Sequence, residues 1–175
     1  MIASKADYLE YLKSDLDNAD YQPSIQGRLF NSTWRFLRLL RQEEYYLNCK
    51  QSLWGKLMLL FIRLRRKRIG ERLGFTIPPN VCGKGLSLPH VGTVVINGRV
   101  TIGENCRIHV CVNIGADKVT SEVPTLGDNV YIAPGAKIFG NINIGNDVII
   151  GANAVVNKSF PEGGCTVVGI PAKRI

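Results

Sequence analysis

Histidine is scarce in this sequence, with His90 and His109 the only two. A metal centre resting on three imidazole ligands is therefore a poor fit, and no metal is expected. Any histidine-based proton transfer has only these two residues to draw on. Cysteine is present but unpatterned: Cys49, Cys82, Cys106, Cys111 and Cys165 make an odd count with no CxxC pair. That argues against both a disulfide framework and a zinc site and leaves reduced thiols, as in a cytoplasmic protein. Long hydrophobic runs are missing too. The longest, Leu57 to Ile62, is far short of the ~20 residues that span a bilayer. The first residues, MIASKADYLEYLKSD, are acidic and amphipathic, unlike a signal peptide, so a cytoplasmic location is expected. Acidic residues are in deficit, 14 against 22 Lys and Arg, for a net charge of +8. The excess lies mostly before residue 76, where fourteen cations face eight acids. No groove-reading motif accompanies that charge, so nucleic acid is not an expected partner.

Two regimes are visible along the chain. Residues 1–74 read as a helical N-terminal domain and 75–175 as a second domain, mainly β. In the first, Tyr8, Leu9, Tyr11, Leu12 and Leu16 recur at helical spacing. A second helix carries Trp34, Leu37, Leu40 and Tyr45, with Arg35, Arg38 and Arg41 spaced by threes. A third runs from about Ser52 to Gly74, which suits a C-terminal cap, and Pro78-Pro79 forbids continuation. Its apolar stripe, ending in a basic cluster, would suit an anionic membrane surface. Packing of Trp54, Leu57, Leu60 and Leu64 onto other helices is the favoured expectation, and peripheral membrane contact is not.

From Ile77 onward glycine becomes frequent and a period of six replaces the helical one. Aliphatic residues occupy Ile96, Ile102, Ile108 and Ile114, then Leu126, Ile132, Ile138, Ile144, Ile150 and Val156. Glycine follows at Gly103, Gly115, Gly127, Gly145 and Gly151. Small or β-branched residues fill the fifth position, from Val100 and Cys106 to Val148 and Ala154. A strand alternates faces every two residues and cannot give this period alone. A short strand plus a corner can, and three such units close a triangular coil whose neighbours cover each other's core. The leading aliphatic and the fifth residue should face inward, with the glycine at a corner whose dihedrals are unusual. The segment Ala116 to Thr125 keeps the phase but places Thr120 where an aliphatic belongs. It reads as a loop ejected from a corner, where function tends to sit.

The runs Leu88–Ile96 (LPHVGTVVI), Ile108–Gly115 (IHVCVNIG), Ile132–Gly145 (IAPGAKIFGNINIG) and Val167–Lys173 (VVGIPAK) resemble the hexapeptide-repeat acyltransferases, most closely their serine acetyltransferase branch. The short helical front resembles compact members linked to capsule, exopolysaccharide or lipopolysaccharide synthesis. The resemblance implies a left-handed parallel β-helix preceded by a small α-helical domain. It also implies a homotrimer with sites between subunits, with a dimer of trimers left open. The implied activity is direct acetyl transfer from acetyl-CoA to a hydroxyl.

His90 falls where the family's catalytic histidine sits. A base is needed to take the alcohol proton and pass it to the leaving thiolate, and histidine suits this with an ordinary pKa of about 6.5. Six before Ile96, His90 is nominally inward, where an unpaired imidazole is costly. The coil around Pro89–Gly92 should therefore be irregular and turn the ring outward. His109, Asp117 and Glu122 are candidates for the same cleft, and Asp117 is one candidate to orient His90. By resemblance the donor positions are Gly115, Ala116, Ala133, Gly135, Ala136, Lys137 and Gly169, with Lys158, Lys173 and Arg174 toward the CoA phosphates. The serine-specific pattern is incomplete. Phe75 stands where that branch has an upstream acid that orients the catalytic histidine, Pro89 where an acid directly precedes it, and Glu122-Val123 replace an Arg-His pair before Pro124. A saccharide hydroxyl is therefore the expected acceptor, with serine as the alternative. An amino sugar and a non-catalytic scaffold stay open.

Overall fold

A computed structural model describes residues 1–19 and 31–175. Among the described residues three helices come first: α1 (Lys5–Asp17), α2 (Ser32–Cys49) and α3 (Leu53–Leu73). Each starts on a side-chain cap, with Ser4, Asn31 and Ser52 accepting from the backbone N–H three residues on. Gly74 ends α3 in the left-handed region at φ 81°. Thirteen short strands follow in order: β1 (Phe75–Thr76), β2 (Val94–Ile96), β3 (Thr101–Ile102), β4 (Arg107–Ile108), β5 (Val112–Gly115), β6 (Thr125–Leu126), β7 (Tyr131–Ile132), β8 (Lys137–Phe139), β9 (Asn143–Ile144), β10 (Ile149–Ile150), β11 (Val155–Val156), β12 (Thr166–Val168) and β13 (Lys173–Arg174).

The strands form the three faces of a left-handed parallel β-helix. The faces are β1-β2-β5-β8-β11, β3-β6-β9 and β4-β7-β10-β12, the last closed by antiparallel β13. A regular coil takes 18 residues, as from Thr125 to its partner Asn143 or from Tyr131 to Ile149. Thr101 pairs with Thr125 and Asn113 with Lys137, a step of 24. The ejected loop thus adds one hexapeptide to its coil, which is why the phase survives it.

Every leading aliphatic from Ile96 to Val156 is at most 2% exposed. The fifth positions are buried as well, and Pro124 resumes that series at the loop's end. Truncating one rung should be felt along the stack, since its neighbours cannot collapse into the gap. Ile132→Ala is expected to cost about 2–5 kcal/mol in chemical unfolding.

The corners depart from expectation. The glycine after the aliphatic is not in an unusual conformation; at Gly103, Gly127 and Gly145 stacking of backbone on backbone is what excludes a side chain, a Cβ on Gly145 lying 2.4 Å from the Pro161 carbonyl oxygen. Positive φ falls two residues later, at Asn105, Cys111, Asn129, Gly135, Asp147 and Asn153. Asparagine and aspartate tolerate that region, and along one corner they bond to each other: Asn105 Nδ2 donates to Asn129 Oδ1 (3.1 Å), and Asn129 Nδ2 to Asp147 Oδ1 (2.9 Å).

The helices are fastened to the first coils by a buried ionic knot. Arg41 is fully buried and all five of its N–H groups are used. Nε donates to Asp15 Oδ2 (2.7 Å), Nη1 to Glu44 Oε2 (3.0 Å) and the Cys82 carbonyl (2.9 Å), Nη2 to Asp15 Oδ1 (3.2 Å) and the Gly83 carbonyl (2.6 Å). The carboxylates reach on to the Leu86 and Asn80 N–H groups. Burial works against the guanidinium charge, but Asp15 and Glu44 outweigh it, so its pKa lies above the ordinary value.

The expected packing of the third helix is overturned. Trp54, Leu57, Leu60 and Leu64 are each more than half exposed. The face that packs carries Gly55, Ile62 and Gly70 instead, roughly opposite on the helix. Glycines let α3 lie close to its neighbours without large side chains, and Arg63 and Arg66 on that side pair with buried Glu43 at 3.0 and 2.5 Å.

Candidate active site

His90 lies on an exposed bend, not inside the prism. The cause is a longer first coil. Cys82 bridges to Ile102 and Ser87 to Arg107, a step of 20 in place of 18. The two extra residues put Leu88, 4% exposed, into the inward slot above Ile108 and carry His90 out to the corner. The irregularity expected around Pro89–Gly92 is therefore present.

That corner continues down the prism as a single edge. A Cβ on Gly92 would touch Val110 Cγ1, the Gly135 N–H donates to the Val110 carbonyl (3.0 Å), and the Asn153 N–H donates to that of Pro134 (2.9 Å). At the lower end Gly169 and Ala172 bracket Val155: Gly169 accepts from its N–H (3.0 Å), and the Ala172 N–H donates to its carbonyl (2.8 Å). His90, His109, Ala133, Gly135 and Gly169 thus lie along one edge, with parallel coils about 4.8 Å apart. Ala136 and Lys137 turn from it into the adjoining face; Ala136 is fully buried.

The two histidines meet, with ring centroids 5.9 Å apart. His109 is held from two further sides: Arg107 Nε donates to its Nε2 (3.3 Å), and the Tyr131 ring lies 5.0 Å away. Arg107 and Tyr131 were not singled out from the sequence. They are register partners across the 24-residue step, and the loop's extra six residues hide that relation from a fixed count of 18.

The loop leaves from the next corner. Gly115 pairs with Phe139, and a Cβ on Gly140 would lie 3.7 Å from Asp117 Cβ. His90 precedes β2 and the loop follows β5, so the two flank opposite edges of the same face. Asp117 is turned into its own loop: its carboxylate accepts from the Val119 N–H, the Thr120 N–H (3.0 Å) and Thr120 Oγ1 (3.1 Å). The Thr120 and Val119 N–H groups hold its pKa below the ordinary aspartate value. Orientation of His90 by Asp117 of the same chain is therefore not what the structure shows. Arg99 donates to the Ser121 carbonyl and steadies the loop, while the side chain of Glu122 is exposed.

The cationic candidates differ. Lys137 Nζ donates to the Cys111 (2.5 Å) and Gly135 (3.0 Å) carbonyls and braces the corner. Arg174 pairs with Glu162 at 3.3 Å. Lys158 and Lys173 are exposed, Lys158 beyond β11 on the loop's side and Lys173 near the histidine edge. Phe75 is buried edge-on against Phe36, ring centroids 5.1 Å apart, and offers His90 no polar group. Among the described residues no cluster of His, Cys, Asp and Glu could hold a metal ion.

The bacterial transferase hexapeptide family (six repeats) matches residues 124–158. A serine acetyltransferase of Staphylococcus aureus is 46% identical over 101 residues, which cover 56% of this chain and 47% of that protein. One of Staphylococcus epidermidis is 38% identical over 132 residues, covering 69% and 62%. Among solved structures, the serine acetyltransferase of Neisseria gonorrhoeae in complex with serine superposes with a TM-score of 0.77 at 28% identity, over 98% of this chain and 70% of that one. The chain spans about half the length of the curated relatives it matches. The coils and the stacked corner agree with these likenesses: residues 124–158 carry the repeat of the hexapeptide transferases, and the chain is similar to their serine acetyltransferase branch.

Proposed function

We propose that this chain is an acetyl-CoA-dependent O-acetyltransferase that moves the acetyl group directly to a hydroxyl, with serine as the first acceptor. The observation that carries this is the edge on which His90 stands above His109 and a run of small residues. His90 takes the proton of the attacking hydroxyl and returns it to the departing CoA thiolate, so no covalent enzyme intermediate is required. Arg107 and Tyr131 fix the His109 ring beside it. The pantetheine arm lies against Ala133 and Gly135, where small side chains leave backbone groups within reach, and Gly169 and Lys173 close the lower end. Gly115, Ala116 and Lys158 lie across the face and serve the site of a neighbouring copy, in a trimer whose clefts each take one edge from either subunit.

The relatives named above are serine acetyltransferases; they support serine and lend nothing to the saccharide acceptor expected from the sequence. Three departures keep another hydroxyl as the second reading: Phe75 is buried, Pro89 adjoins His90, and Glu122-Val123 precede Pro124 where the serine-binding pattern has charged groups. Product analysis by mass spectrometry, with acetyl-CoA and serine, simple sugars, an amino sugar or nucleotide sugars, separates them. Acetylserine as the dominant product is expected. An acetylated sugar with no acetylserine would transfer the assignment to the second reading.

A further inference from the structure

The exposed side of α3 bears a stripe of large apolar residues: Leu53, Trp54, Leu57, Leu60, Phe61 and Leu64, with Leu53 and Trp54 74% and 78% exposed. Their spacing puts all six on the side facing away from Gly55, Ile62 and Gly70, the side that packs. A stripe of this size on a helix is an interaction site, since scattered exposure would not keep the period. Beside it lies a groove of about 180 Å³ between the helices, lined by Tyr8, Arg35, Arg38, Gln42 and Arg65. Arg35, Arg38 and Arg65 are exposed, and among the described residues none has a carboxylate partner. Arg65 joins the two features, its guanidinium 5.4 Å from the centre of the Phe61 ring.

We propose that this face docks the protein on an anionic lipid surface, with the apolar stripe entering the interface and the three arginines taking lipid phosphate. The occupant must offer apolar and negative surface together. A second copy presents the same stripe and the same cations, because α3 carries seven Lys and Arg against the single acid Glu71. An anionic bilayer offers both: acyl chains for Leu57, Leu60 and Leu64, an interfacial zone for Trp54, and phosphates for the guanidinium groups. No helix among the described residues is long and apolar enough to cross a membrane, so α3 lies on the surface.

Co-flotation of the full chain tests this, using vesicles of phosphatidylcholine alone and vesicles with about one third phosphatidylglycerol. The expected result is flotation with the anionic vesicles only, with a blue shift of the Trp54 emission that Trp54→Phe removes. The variant carrying Arg35→Gln, Arg38→Gln and Arg65→Gln, all at exposed positions, should bind about tenfold more weakly or less, and added salt should act in the same direction. Equal binding to both vesicles overturns the phosphate assignment. No flotation overturns the proposal. If the chain then also forms an assembly that Leu57→Ser with Phe61→Ser reduces in size, a second copy covers the face.

Discussion

His90→Ala should lower acetyl transfer by about a thousandfold, within the range that removal of a general base produces. The fold should be unaffected, because the ring lies on an exposed bend and Leu88 fills the inward slot. Far-ultraviolet circular dichroism and the thermal midpoint should match those of the unaltered protein, so lost turnover would reflect lost chemistry. His109→Ala serves as the counterpart. His109 Nε2 already accepts from Arg107 and its ring lies against Tyr131, which suits a group that shapes the site. Its removal should reduce the rate less than removal of His90. Full activity in His90→Ala with none in His109→Ala would reverse the two roles.

Arg41→Ala should destabilise the protein by about 3–5 kcal/mol, read from denaturant unfolding, because it leaves two carboxylates buried without their cation. Asp15 is fully buried and Glu44 2% exposed, and the two face Arg41 at 2.7 and 3.0 Å. Arg41→Lys should recover little of this. Lysine has three donors on one nitrogen, whereas the knot takes five from a planar fork and spends two on the Cys82 and Gly83 carbonyls. Those carbonyls belong to the coil that leads to Pro89 and His90, so the lysine variant should also lose activity at temperatures where it stays folded. Unchanged stability in Arg41→Ala would mean that the helices are not fastened to the coils in this way.

The inward positions of the β-helix were legible because the period of six is imposed by geometry and recurs at ten places. The outward turn of His90 was legible for a related reason, since an imidazole in so narrow a core has no partner. The role of the corner glycines was misread, because a repeat marks where glycine is required and not whether dihedral or stacking is the cause. Arg41 was hidden among Arg35 and Arg38: spacing by threes looks the same whether a helix face is wet or, as at Arg41, sealed by a knot whose distant members lie 26, 41 and 42 positions away. The exposed stripe of α3 was misassigned because amphipathic spacing shows that one side is apolar and leaves open which side the neighbours cover. His90 reaches its corner because the two extra residues of the first coil fall between Ser87 and Val94, while β2 and β5 keep the regular step of 18, and a fixed count of 18 conceals those two residues.

Thiol release from acetyl-CoA by the purified full chain with serine present bears most directly on whether this edge is an acetyl-transfer site. Catalytic release in step with acetylserine is the expected result. No release with serine or with any other hydroxyl or amine acceptor, together with no binding of acetyl-CoA by calorimetry, would contradict it and leave a non-catalytic scaffold.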